Sequence, residues 1–368
     1  MPSIIDFIEH FQDGLLRDER RNASALVHAY TEAWKRIRKQ LDSLKAEMQS
    51  LAEPGESVGP DWLLRSDRAK ALQAQIEKEL LKFTRLAESK TLQEQDKAID
   101  LALEQSRDLT EIAIGYGLGT FWNRINRNAV EIMIGMNQPG SPLHRLLNDA
   151  DIAGAAAAQD ALVQGVMLGY SPAKIAREIR DALGIALNRA LTIARTEVLR
   201  AYREASYQSY NANADIVEGW QWLTAGDELV CLPCRLQNGT KHPITERMNS
   251  HPNCRCTAEP VTISWKELGE KYGMDFADMD NAPVDIDALA AKWGMSEKQV
   301  SRYKINQMGG TEWIRSLPER EQIKLMGNTR WEAWQSGKVK LEDMLTYRYS
   351  SDWGQTLAVK NLSELGLK

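Results

Sequence analysis

The residues best equipped to do chemistry sit in one short stretch. All four cysteines of the 368-residue chain lie at positions 231, 234, 254 and 256. Cys231-Leu232-Pro233-Cys234 has C-x-x-C spacing, and nineteen residues separate it from Cys254-Arg255-Cys256. His251 precedes the second pair and His242 lies between the pairs. A C-x-x-C turn presents two thiolates to one metal, and zinc takes four soft or borderline donors in a tetrahedron. Pro233 and Pro252-Asn253 stiffen the two knuckles. The candidate ligands of a structural zinc are Cys231 and Cys234 with two of His251, Cys254 and Cys256. A closed four-ligand site would leave no position for a catalytic water. Two alternatives use the same residues. Disulfides are disfavoured in a reducing compartment, and a redox-active C-x-x-C lacks the βαβ pattern that usually surrounds one.

Other catalytic patterns are sparse. H-E-x-x-H, a P-loop and a Ser/His/Asp arrangement are absent, and Gly115-Tyr116-Gly117-Leu118-Gly119 follows a helix, so it reads as a break and not a dinucleotide fingerprint. His242 or His251 with Asn249 or Asn253 would be the base and metal ligand of a zinc-dependent nuclease or other DNA-processing enzyme, the rival reading. The sequence shows no β-hairpin–helix with paired histidines after the knuckle to support it. Arg195-Thr196-Glu197 lies on a helix, where neighbours point in different directions, so an ion pair or a surface is expected there.

The elements that must position these residues are mainly helical. Leu26, Tyr30, Trp34, Ile37, Leu41, Leu44, Met48 and Leu51 recur at steps of three and four, a coiled-coil-like seam over residues 22–52. Glu53-Pro54-Gly55 and Gly59-Pro60 break it. A second helix is expected over 61–114, giving a long antiparallel hairpin. Such a rod buries its seam on its own body or on another chain. Residues 120–210 read as helical, with starts at Ser141-Pro142 and Ser171-Pro172 and a separate helix over 187–210. Gly169-Tyr170-Ser171 and Trp293-Gly294-Met295-Ser296 are weak helix-turn-helix look-alikes. Val217–Leu223 alternates with strand period, Gly226-Asp227 makes a turn, and Thr257–Ile263 reads as a closing strand. Beyond Trp265 short helices are expected, with an acidic loop over 275–285, a tryptophan-rich stretch over 312–345, and an amphipathic arm around Trp353, Leu357 and Leu362.

Charge and composition bound the function. Formal net charge is −5, so a protein that coats DNA over its whole surface is unlike this one. No uncharged stretch approaches the roughly 20 apolar residues of a membrane span, and the first residues lack the basic and apolar regions of an export signal. Neither a membrane partner nor an enzymatic activity is therefore expected.

The runs Ala194–Tyr210, Gly219–Gly239 and His251–Cys256, followed by Pro260, resemble the Mu F-like head-morphogenesis domain of tailed-phage minor head proteins. The resemblance rests on Arg195, Thr196 and Glu197; Trp222 and Thr224; Asp227; Cys231 and Cys234; Leu236 and Gly239; and His251, Cys254, Arg255 and Cys256. It extends upstream through Gly165–Gly184 and downstream to Trp313, Leu317-Pro318, Gly327, Trp331 and Gly337. The elements read above give an architecture that is mainly α with a small β-rich zinc-knuckle-like module (α+β) and a long N-terminal antiparallel helical hairpin, and the resemblance covers about 150–340 of it. Its divisions are a hairpin over 1–119, the Mu F-like domain over 120–263 with its knuckle at 216–263, and a short-helix region over 264–368. The implied role is structural: a minor capsid component inside the virion near the portal, made in the host cytoplasm, contributing to head assembly and genome packaging or ejection. The implied partner is the portal protein, with major capsid or scaffolding protein as further candidates and only sequence-independent contact with packaged DNA.

Overall fold

The protein is described here from a computed structural model, which covers residues 4–51, 66–114, 130, 142–168, 170–273, 300–301, 304–305 and 308–367. The chain is mainly helical with two small antiparallel sheets. Four long helices come first: α1 (Ile4–Leu51), α2 (Asp67–Ile114), α3 (Pro142–Met167) and α4 (Pro172–Ala212). Among the described residues no helix is long and apolar enough to cross a membrane. Residues pack into two compact units, one built from 17–96 and 135–198, the other from 1–16, 97–134 and 199–368.

The first unit is a helical bundle. Tyr30 meets Phe83 edge-on at 5.5 Å, Arg36 pairs with Glu79 at 2.7 Å, and Arg68 with Glu47 at 3.1 Å. Partners fall in number on α2 as they rise on α1, so the two helices run antiparallel, as the sequence predicts. The seam residues Ile37, Leu41, Leu44 and Met48 bury against Leu72, Ile76 and Leu80, and also against Ala158, Leu162 and Val166 of α3 and Ile175, Ile179 and Leu183 of α4. The seam therefore closes on the protein's own helices. A Cβ on Gly154 would lie 2.7 Å from that of Ala186, so glycine permits the close approach of α3 and α4 here.

Two helix starts agree with the sequence. Pro142 opens α3 and Pro172 opens α4, where the Ser171 hydroxyl accepts from the Lys174 N–H at 3.3 Å. The separate helix expected over 187–210 is instead the second part of the single 41-residue α4. Gly184 lies within it and does not break it. The neighbouring leucines and alanines favour continuation by more than one glycine opposes it, roughly 1 kcal/mol.

The second unit holds the cysteines. Strand β1 (Val217–Leu223) lies between β2 (Lys241–Pro243) and β3 (Thr257–Thr262), antiparallel to both. Trp220, Trp222, Val217, Cys234, Cys254, Cys256 and Ala258 form its core with Tyr210 and Trp313. A short helix, α5 (Leu232–Gln237), starts at the first cysteine pair and buries Leu232 and Leu236. Helix α6 (Trp265–Tyr272) begins with a full capping box between Ser264 and Glu267. The tryptophan-rich region forms α7 (Gly310–Ser316), α8 (Glu319–Met326) and α9 (Asn328–Gln335), which end at Leu317, Gly327 and Ser336. Ile314, Met326, Ala333, Leu341 and Met344 pack on Leu232 and Leu236.

The C-terminal stretch corrects one expectation. It is no amphipathic arm: β4 (Leu345–Ser350) and β5 (Gly354–Val359) form a hairpin. Tyr347 and Tyr349 favour the strand, and Gly354 takes φ +69° at the turn. The breaks at 53–60 and 115–119, the acidic loop over 275–285 and the look-alike at 293–296 lie outside the described residues.

Candidate metal centre

The two cysteine pairs come together because two clasps hold the loops that carry them. Cys231 caps α5, with Pro233 in its first turn, and buried Leu232 and Leu236 fix the helix against the core. The second pair follows Asn253, which has φ 65° and so makes the left-handed turn that Asn tolerates better than most residues. Asp227 and Arg255 then join the loops through two bonds of 2.6 Å in a bidentate pair. Arg203 of α4 donates to the carbonyls of Cys254 at 3.2 Å and Cys256 at 2.8 Å, and to Ser250 Oγ at 2.6 Å. Buried Arg235 donates to the Val230 carbonyl at 2.8 Å and stacks over Trp313 at 4.4 Å. Buried Asn238 accepts from the Thr224 hydroxyl at 2.8 Å.

All five predicted donors meet. His251 Nε2 lies 3.0 Å from Cys231 Sγ and 3.1 Å from Cys234 Sγ, and Cys234 Sγ lies 3.6 Å from Cys254 Sγ. The donors form two groups, Cys231–Cys234–His251 and Cys234–Cys254–Cys256, each within 4.8 Å and sharing Cys234. A tetrahedral zinc with the usual bond lengths separates its donors by about 3.5–3.8 Å. The Cys234–Cys254 spacing falls in that range and the two to His251 are shorter by about 0.4–0.5 Å, so the donors lie close enough to gather around a metal ion. The four cysteines are free thiols, and all but Cys231 are buried. The backbone N–H of Cys256 points at Cys254 Sγ, 3.4 Å away.

The cluster shares its protons unevenly. The bond with Cys234 and the nearby His251 bring the Cys231 thiol down to about 5, against the effect of burial. The same bond, with those from Cys254 and Cys256, pushes Cys234 up. Burial opposes the Cys254 thiolate, but bonds from Cys234 and Cys256 and the charges of Arg203 and His251 hold it well below the ordinary thiol range. Burial, with the charge of Cys254, pushes Cys256 up. Burial works against the charged imidazole of His251, yet its bond to Cys231 and the charges of Cys254 and Cys231 raise it to about 9. Its Nδ1 lies 2.8 Å from the Pro252 carbonyl, which fixes the ring with Nε2 toward the sulfurs. Thiolate is the form that metals bind, and cation binding here would release the protons kept by Cys234, Cys256 and His251.

The other singled-out residues go elsewhere. His242 stacks on Trp220 at 4.1 Å, and its nitrogens face Thr240 Oγ1 at 2.9 Å and Glu246 at 3.3 Å. This Thr–His–Glu line resembles a nucleophile relay, but the Thr240 hydroxyl donates to the Gln237 carbonyl at 2.7 Å, which commits its proton to the backbone. Asn249 and Asn253 are exposed. In the first unit Arg195 bonds Glu19 at 2.8 Å, while Thr196 turns back to the Thr192 carbonyl at 2.6 Å and Glu197 is buried. The trio diverges, as helix geometry requires. Sequence reasoning missed Arg203, half a hundred residues upstream of the pair it holds, because nothing in its local pattern marks it.

The fold and cluster define a class: a helical scaffold carrying a small antiparallel sheet with a Cys/His knuckle. Residues 156–259, which include all five donors, match the family described as phage Mu protein F like protein. The resemblance read from the sequence is thus shown over that segment. No curated protein and no solved structure shows significant similarity to the chain.

Proposed function

We propose that this protein is a structural minor head protein of a tailed phage, docked on the portal at the inner side of the capsid and contributing to head assembly and to genome packaging or ejection. The observation that carries the reading is the match of residues 156–259 to the Mu F-like family, which falls on the knuckle and on α4. The knuckle's role is to staple loops, and zinc is the ion its sulfur and imidazole donors suit. The ligands are Cys231 and Cys234 with two of His251, Cys254 and Cys256. The first unit closes its own seam, which favours the tryptophan-rich C-terminal region as the docking face. Trp331 and Trp334 are only partly covered there, and aromatic anchors dominate interface energies. The net charge of −5 suits a neighbour of packed DNA that must not bind it tightly.

Mass spectrometry of purified virions and empty procapsids, with crosslinking, tests the reading. The chain is expected in both, crosslinked to the portal ring, and in pure form it should carry about one zinc per chain by elemental analysis. Divalent-metal-dependent nicking of plasmid DNA by the pure protein, or its absence from particles, would overturn it in favour of a DNA-processing enzyme.

A further inference from the structure

Among the described residues the knuckle has an open side. A cavity of about 550 Å³ is lined by Asp227, Cys231, Arg235, Trp313 and Lys324 among others. Cys231 is the only cluster cysteine on its wall, and it is also the only one of the four that is not buried. Cys234 lies immediately behind it, with the two sulfurs within 4.8 Å of each other. A partly exposed thiol in front of a buried one, two residues between them and a proline in the loop, is the arrangement that lets a C-x-x-C pair exchange with a disulfide.

The geometry points to Cys231 as a thiol–disulfide exchange site: small disulfides of the glutathione kind reach it through the cavity and convert Cys231 and Cys234 to a disulfide, opening the metal centre. The inference deepens the knuckle reading above and rests on it only for the release of metal. Cys231 Sγ, as thiolate, attacks one sulfur of the incoming disulfide. That S–S bond breaks, a mixed disulfide forms on Cys231, and the first thiolate leaves and takes up a proton. Cys234 Sγ then attacks Cys231 Sγ and expels the second thiol. In sum two cysteine thiols lose two electrons and two protons, and the small disulfide becomes two thiols. Two of the metal's sulfur donors disappear, and the ion leaves.

The experiment uses the intact chain. Limiting iodoacetamide followed by acid quench and peptide mapping should place the first label on Cys231, at least about tenfold ahead of Cys254 and Cys256, since buried thiols react only through opening. Oxidised glutathione should remove two hydrogens from the intact mass and release bound zinc to a chromogenic chelator. In Cys234→Ser the reaction should stop at a glutathione adduct on Cys231. A first label, or a trapped adduct, on Cys254 or Cys256 would overturn the proposal. A preparation without zinc would sink the metal reading alone, because the label map and the adduct position still decide the exchange step.

Discussion

Glu259 offers the sharpest test of the packing around the knuckle. It lies on β3 opposite Gln221, and burial holds its carboxyl at about 7. Tyr202 and Tyr210, both fully buried, are pushed up in turn, mainly by burial and in part by this carboxylate. In the unfolded chain a glutamate titrates near 4.3. Between about 4.3 and about 7 the unfolded chain gives up a proton that the folded chain keeps, so stability falls as pH rises through that window. The gap corresponds to about 3.7 kcal/mol as an upper bound. The residue retains some contact with water, so less than half of that, ~1.5 kcal/mol, is the expected size. Glu259→Gln keeps the shape and removes the charge. Urea denaturation should show the variant more stable than the parent by ~1.5 kcal/mol at pH 8 and little different at pH 4.5. An equal effect at both pH values, or a less stable variant at pH 8, would refute the argument.

Other consequences are as direct. Arg203→Met should cost about 2–4 kcal/mol in denaturant unfolding, because it strips charged donors from the Cys254 and Cys256 carbonyls; a loss below about 1 kcal/mol would show that water replaces it. Gly310→Ala would drive a Cβ into the backbone carbonyls of Arg235 and Leu236, so it should lower the thermal midpoint by roughly 4 °C or more, measured by circular dichroism; an unchanged midpoint would contradict the contact of α7 with α5. In the first unit Glu79, 1% exposed, accepts from Arg36 and Lys82. Burial works against its charge, but bonds from Lys82 and Arg36 prevail and lower its carboxyl below the ordinary range. Its contribution is therefore complete above about 4.3 and lost as pH falls through the lowered value. Glu79→Gln should flatten the acid limb of the stability curve, and an acid limb identical to the parent's would count against the pairing.

Much of this was legible because it depends on local pattern. The three-and-four spacing from Ile37 to Met48 marks a buried seam, and the alternation at Val217–Leu223 marks a strand with tryptophans inward. The clustering of cysteine at 231–256 announces one site. What the pattern leaves out is pairing at a distance. Asp227 and Arg255 are both visible as motif residues, yet nothing in either says that they bind each other. Arg203 and Asn238 are ordinary polar residues until the loops close on them. The helix start expected at 187 and the arm expected of the last residues differ from the structure for another reason. Local breakers and apolar spacing compete there with neighbours that decide between helix, break and hairpin, and period alone does not weigh them.

The Asp227–Arg255 pair has a consequence for timing. It ties the loop before the first knuckle to the second knuckle with protein atoms alone. An ion arriving late would find its cradle already built, so affinity need not be diminished by the entropy of gathering four donors. The same tie works without an ion, so a metal would reinforce a knuckle that protein contacts already close.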